Sequence, residues 1–195
     1  MEIINYIYLR KGKIYLSNAC EYPVEINKFI SDYDKDNNLY ILDYDGITKN
    51  KPNVNIYQRL SSFSDLWIDG GPRSTGDVID FVMAGANKIT IRKDLSDSID
   101  ITHLRELSEG KFYLAIKESL LKEYVNLLNI SMFDGVIVLL NEKRRDIDFI
   151  SASYLKNFAS NNDVYLFNSE FRPKSHWEKI GISGLFSQMS QKMEV

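Results

Sequence analysis

Between Leu39 and Lys93 an apolar run, a charged tip, a helical stretch and a new apolar run follow one another with a period of roughly twenty-five residues. The first run ends in Asp43-Tyr44-Asp45-Gly46 and the second in Asp69-Gly70-Gly71-Pro72-Arg73-Ser74; a third, Lys88-Ile89-Thr90-Ile91, follows a helical segment that closes on Ala84-Gly85-Ala86. Alternation of strand and helix demands a parallel sheet covered by helices. Charged residues sit just past the carboxyl end of each strand, which is where (β/α) barrels carry their active sites.

The same alternation can be followed along the rest of the chain. Strands are expected at Ile3 to Leu9, Leu39 to Leu42, Leu66 to Ile68, Lys88 to Ile91, Phe112 to Ile116, Gly135 to Leu140, Val164 to Phe167 and Gly184 to Phe186, with a short extended piece at Ile14 to Leu16 after the Lys11-Gly12-Lys13 turn. Helices are expected at Glu21 to Tyr33, Val54 to Leu60, Thr75 to Ala84, Ile99 to Leu107, Leu120 to Leu128, Ile150 to Phe158 and Lys174 to Lys179. Gly85 is placed to end its helix, since glycine accepts the left-handed conformation of a C-terminal cap. The middle strands are apolar without alternation, as parallel strands covered on both faces are. The fold class is therefore α/β, a compact TIM (β/α)8 barrel in one domain over residues 1–195, with an open doubly wound parallel sheet as the alternative.

Composition narrows the function. At 195 residues the loops of such a barrel must be short. A formal net charge of −3 with both signs intermixed leaves no basic footprint, so neither nucleic acid nor an acidic membrane is an expected partner. The lone Cys20 cannot form an internal disulfide, and no secretory signal pattern or bilayer-length apolar run is present, so a cytoplasmic address is expected. His103 and His176 have no zinc-ligand spacing and fall on outer helices, and no metal or other cofactor is expected.

Leu42-Asp43-Tyr44-Asp45-Gly46 followed by Lys51-Pro52-Asn53, and Gly70-Gly71-Pro72-Arg73-Ser74 followed by Asp77 and Ala84-Gly85, carry a family pattern. In order and spacing this stretch resembles the V-D-L-D-G…G-x-P-x-N and G-G-x-R-S…D…A-G signatures of the phosphosugar barrels of histidine biosynthesis, ProFAR isomerase and its cyclase relative. The opening Ile3 to Leu9 with Gly12-Lys13 resembles that family's first strand and turn. The resemblance implies a ribulose-phosphate-binding type of barrel, a phosphorylated ligand and acid–base chemistry without a redox cofactor.

The departures from that pattern set the functional expectation. Tyr8 and Lys117 stand where the resemblance would place the acid and base aspartates, so a divergent member that is not the authentic isomerase is implied. Arg92-Lys93, Asn168-Ser169-Glu170 and Ser187-Gln188 replace glycine-rich tips, leaving Gly70-Gly71 as the surviving anion loop. The candidate catalytic residues are Asp43, Asp69 and Lys117; the candidate ligand- or phosphate-binding residues are Asp45, Gly70, Gly71, Arg73, Arg92 and Lys93. Tyr8, Glu118, Asn141, Glu142, Asn168 and Glu170 are expected at the same face, as is the basic run Lys143-Arg144-Arg145.

Each of these has a plainer reading beside the chemical one. Lys117 is a Schiff-base amine, a phosphate ligand, or half of an ion pair with Glu118, Asp43 or Asp69. Arg73 grips an anion or ties its loop to Asp77 or Asp69. Two functions follow. One is a small-molecule enzyme of isomerase or lyase type acting on an anionic, phosphorylated or carboxylated metabolite; the other is a non-catalytic ligand-binding or assembly subunit. Association into a homo-oligomer is left open.

Overall fold

The structure, a computed structural model, describes residues 1–17, 20–33, 38–124, 131–141 and 149–189. Its strands are β1 (Glu2–Arg10), β2 (Lys13–Tyr15), β3 (Leu39–Asp43), β4 (Leu66–Asp69), β5 (Ala86–Arg92), β6 (Lys111–Lys117), β7 (Gly135–Leu139), β8 (Val164–Phe167) and β9 (Gly184–Gln188). The helices are α1 (Ile26–Asp32), α2 (Tyr44–Lys49), α3 (Val54–Ser61), α4 (Thr75–Met83), α5 (Ile101–Leu107), α6 (Leu121–Tyr124), α7 (Phe149–Ala159) and α8 (Lys174–Ile180).

Parallel pairing runs β1-β3-β4-β5-β6-β7-β8-β9, and β9 returns to β1 with Glu2 opposite Gly184 and Ile4 opposite Phe186. The sheet is closed. That pairing removes the open doubly wound alternative, because such a sheet has two free edges. β2 is the exception to parallel order: it folds back on β1 as a hairpin through Lys11 and Gly12, both at positive φ.

Closure follows from what the strands point inward. In register, Tyr6 lies beside Tyr40 and Tyr40 beside Trp67, while Ala115 lies beside Ile137 and Ile137 beside Tyr165. These side chains, with Ile4, Tyr113, Phe167 and Phe186, form a lumenal core distinct from the two clusters that pack helices onto the outer face. Aromatic rings fill the bore. Phe167 stacks on Phe186 at 4.5 Å between centroids, and Tyr40 packs against both. The abundance of Tyr and Phe is thus used as packing volume, and the bore is a solid core rather than a channel.

Two local differences from the sequence reading have physical causes. The first helix begins at Ile26, not at Glu21: Val24 is bridged to Ile14 of β2, and Glu25 caps the helix by accepting from the Lys28 N–H. The Asp43–Gly46 tip is not a loop; it opens α2, capped by Asp43 at the start and by the left-handed Asn50 at the end. Elsewhere the boundaries agree closely. Ser74 and Asp77 form a reciprocal capping box on α4, and Gly85 follows that helix at φ 95°. Of the expected Leu120–Leu128 helix, the portion 125–128 lies outside the described residues, as do Glu142 and the Lys143-Arg144-Arg145 run.

Candidate functional site

At the carboxyl ends of the strands the bore opens into a cleft of about 490 Å³. Its floor and one wall are lumenal: Tyr8, Leu42, Leu139 and Phe167, with Tyr44 at the lip. Its other wall is polar, made by Arg92, Lys117, Glu118, Ser119, Asn141 and Asn168. The position is the one that barrel enzymes use.

Arg92 is the cation set deepest in this cleft, with a side chain only 16% exposed. It ends β5, and the alternation along that strand turns Thr90 and Arg92 to the lumen. Asp69 at the end of β4 is fully buried beside it and accepts from Arg92 Nε at 2.9 and 3.0 Å and from Nη2 at 2.7 Å. The Tyr40 hydroxyl donates to Asp69 Oδ2 at 3.0 Å and lies 3.3 Å from the Thr90 hydroxyl, which accepts from the Trp67 indole at 3.0 Å. Burial alone would strip Arg92 of its proton more easily, but the adjoining Asp69 charge and its hydrogen bonds outweigh that and hold the guanidinium above its ordinary value. Burial and the Asp69 charge together push the Tyr40 hydroxyl well up, so it stays a donor. A permanent cation is thereby fixed at the cleft.

Asp43 is placed differently from the expectation of a catalytic carboxylate. It is fully buried behind the cleft wall and spends its oxygens on backbone and side-chain donors of the segment that follows it. Oδ1 accepts from the N–H groups of Asp45 and Gly46 at 3.0 and 3.1 Å and from Asn53 Nδ2 at 2.9 Å; Oδ2 accepts from the Asn53 N–H at 2.6 Å and from the Tyr57 hydroxyl. Burial pushes its carboxyl up, and the donors from Tyr57, Asn53 and Gly46 pull against that. Asp45 accepts from the Gly12 N–H at 3.2 Å and pairs with Lys49 at 2.9 Å. It therefore ties α2 to the β1–β2 hairpin rather than facing a ligand.

The glycine tips also serve packing. A Cβ on Gly46 would lie 2.3 Å from the Gly70 carbonyl oxygen, and one on Gly70 would meet the Tyr57 hydroxyl and the Phe81 ring at 2.7–2.8 Å. A Cβ on Gly71, which is at φ 62°, would lie 2.7 Å from Ile47 Cα. Arg73 locks the same two loops. Its Nη1 donates to the carbonyls of Gly46 and Gly71, each at 3.1 Å, and to Asn50 Oδ1 at 2.7 Å; Nη2 donates to the Ile47 carbonyl at 2.9 Å. The tie of Arg73 to Asp77 runs through its backbone N–H, at 2.8 Å. Gly70, Gly71 and Arg73 thus belong to a latch between the β3 and β4 tips, not to the cleft. Arg73→Ala should lose about 1.5–3 kcal/mol of stability in chemical denaturation, with no change in binding at the cleft.

Lys117 lines the cleft from its rim, but its side chain is 60% exposed and pairs with Asp94 at 2.9 Å. The expected ion pair exists with a partner the sequence did not single out, because Asp94 lies on the 3₁₀ turn that follows β5. Burial would raise the Asp94 carboxyl, yet the Lys117 bond and charge hold it below the usual carboxylate range. The desolvation that prepares a Schiff-base lysine is missing here. Lys93 is exposed and, like Glu170, does not line the cleft. Glu118 is nearly buried and accepts from the Asn141 N–H at 3.3 Å; the Asn168 side-chain amide donates to the Leu140 carbonyl at 3.1 Å. Tyr44, Ser119, Leu140, Ser151 and the lumenal Leu42, Leu139 and Phe167 also line the cleft and are not among the candidates. Cross-strand register accounts for the last three: Leu42 lies beside Tyr8, Leu139 beside Lys117 and Phe167 beside Leu139.

No family model matches the chain, and no curated protein matches it. Solved structures do. A mutant tryptophan synthase α-subunit from Pyrococcus furiosus superposes with TM-score 0.59 at 12% identity, over 95% of this chain and 86% of that one. The fold is a (β/α)8 barrel. 2,3-Dimethylmalate lyase, a member of the PEP mutase/isocitrate lyase superfamily, gives TM-score 0.56 at 11% identity over 97% of this chain and 76% of its own. A probable 2-pyrone-4,6-dicarboxylic acid hydrolase from Acinetobacter baumannii, with citric acid bound, gives 0.54 at 12% over 98% and 85%. Identities this low speak to architecture alone.

Proposed function

We propose that this barrel is a small-molecule enzyme of isomerase or lyase type that binds an anionic metabolite, carboxylated or phosphorylated, in the cleft above Arg92. The observation that carries the reading is the half-buried, Asp69-oriented guanidinium lining an open cleft at the carboxyl ends of the strands. A guanidinium held by a carboxylate behind it is pre-organised, so an anion binding to it does not have to order the side chain. Glu118, nearly buried on the same wall, is the group suited to move a proton at an atom next to the anchored head. Tyr8 and Lys117 flank it as donors. Asp69 is a positioning residue, and Asp43 holds the scaffold.

The likeness to the ProFAR isomerase family, with Tyr8 and Lys117 in place of its aspartates, supports a divergent relative that does not isomerise ProFAR. Fold neighbours named for a dimethylmalate lyase and a pyrone-dicarboxylic acid hydrolase support acidic metabolites by analogy only. The replaced aspartates also favour a second reading, a ligand-binding subunit without turnover.

Calorimetric titration against citrate, 2-oxo acids and phosphosugars tests the site. Arg92→Lys keeps a cation beside Asp69 but loses the planar fork, and should weaken any ligand by about ten- to a hundredfold, the worth of a charged hydrogen bond. Glu118→Gln should leave affinity near that of the parent and slow turnover by about 10²–10⁴-fold. Binding without turnover in the parent selects the second reading. Unchanged affinity in Arg92→Lys removes the site.

A further inference from the structure

Resting on the cleft reading above, we infer that Tyr40 and Thr90, neither of which lines the cleft, are positioning residues for its ligand. A one-way chain of hydrogen bonds starts at the Trp67 indole, passes through both hydroxyls and fixes the Asp69 carboxylate, and with it the angle at which Arg92 meets an anion.

The direction of the chain follows from its two ends. An indole N–H only donates, and a carboxylate paired with a guanidinium only accepts. Trp67 Nε1 donates to Thr90 Oγ1 at 3.0 Å, and the Tyr40 hydroxyl gives its one proton to Asp69 Oδ2 at 3.0 Å. The 3.3 Å contact between the two hydroxyls is then a bond that Thr90 donates and Tyr40 accepts. No other arrangement of protons satisfies all three contacts. Each donated bond polarises the next hydroxyl, so links aligned head to tail strengthen one another.

Packing alone does not require this chain. Tyr40, Trp67, Asp69 and Thr90 are fully buried on the adjoining strands β3, β4 and β5, inside a bore that is otherwise aromatic and aliphatic. Phe at the two aromatic positions and Val at position 90 would fill that space with no polar group to satisfy. What the hydroxyls add is a further donor at Asp69 Oδ2, which also accepts from Arg92 Nε at 3.0 Å and Nη2 at 2.7 Å. Turning the carboxylate about its Cβ–Cγ bond would break the Tyr40 bond. The phenol therefore holds the carboxylate plane, and that plane holds the side-on approach of the guanidinium.

The test separates shape from hydroxyl. Thr90→Val keeps the outline of the side chain and drops the hydroxyl, whereas Thr90→Ser keeps the hydroxyl and drops the methyl. In calorimetric titrations of the full chain with citrate and with inorganic phosphate, Thr90→Val should weaken whichever anion the parent binds by about three- to tenfold, the size of one neutral hydrogen bond, and Tyr40→Phe by about tenfold or more, with Thr90→Ser within about twofold of the parent. The Nε–H signal of Arg92 in NMR, assigned by its loss in Arg92→Lys, should exchange with water about fivefold faster in Thr90→Val and Tyr40→Phe than in the parent and Thr90→Ser. Circular dichroism shows which variants are folded, and Tyr40→Phe decides if Thr90→Val is not. Affinity equal to the parent's in the folded hydroxyl-less variants would overturn this inference and leave the cleft reading standing. Thr90→Ser as weak as Thr90→Val would trace the loss to packing and overturn it too. Absence of Arg92-dependent binding by either anion would overturn both.

Discussion

Replacing Asp69 by Ala is expected to cost about 3–5 kcal/mol of stability, the usual penalty for leaving one half of a buried ion pair alone, and to lower the melting temperature by roughly 6–20 °C. The reason is the location of Arg92. Its side chain is 16% exposed and donates through two guanidinium nitrogens to a carboxylate that water does not reach. Without Asp69 the cation stays charged in a poorly solvated place, and the Tyr40 hydroxyl keeps only Thr90 as a partner. Removing both charges is different. Asp69→Leu combined with Arg92→Met should recover most of the loss, because an apolar pair of similar volume suits an aromatic bore as well as an ion pair does. A double-mutant cycle in urea measures the coupling. Strictly additive losses would mean that the two side chains do not depend on one another. The double variant, folded but unable to hold an anion, separates the pair's part in folding from its part in binding.

The barrel was legible because each structural level repeats in the sequence. Short apolar runs, a polar tip and a helix with periodic Val, Ile and Phe recur, and strand ends were placed within one or two residues at Leu39, Phe112 and Val164. Helix α2 was not legible: Gly46 at its centre lowers helix propensity, and the cap that starts it depends on Asn53 and Tyr57 arriving from later in the chain to hold Asp43.

The site was legible in its residue types and not in their partners. Arg92, Lys117, Glu118, Asn141 and Asn168 were expected at the mouth and do line the cleft. A motif, however, records which residues are required without saying for what. Asp43, Asp45, Gly70, Gly71 and Arg73 fit a phosphate-binding signature, while the structure spends them on one another, as hydrogen-bonded loop tips packed backbone to backbone. Which role such residues take depends on whether the loops open to the cleft or close on each other. That is a three-dimensional fact with no trace in spacing.

Glycine substitutions test that distinction. Gly46→Ala should destabilise the protein by about 3 kcal/mol, the upper end of the usual overpacking cost, and lower the melting temperature by roughly 6–12 °C. Its new Cβ would stand 2.3 Å from the Gly70 carbonyl oxygen and 3.1 Å from the carbon that bears it. Both are main-chain atoms, so no rotamer relieves the clash. Nor can the two tips drift apart freely, because Arg73 holds the Gly46, Ile47 and Gly71 carbonyls together. Gly76 is the control. It lies exposed in the first turn of α4, where an added Cβ finds no atom nearer than the Ser74 hydroxyl at 3.7 Å. Gly76→Ala should therefore stabilise the protein by about 0.5–1 kcal/mol, the helix preference of alanine over glycine. Paired thermal and urea denaturation of the two variants gives opposite signs if the glycine tips serve packing. A folded, fully stable Gly46→Ala that lost only anion affinity would instead return these tips to the ligand site.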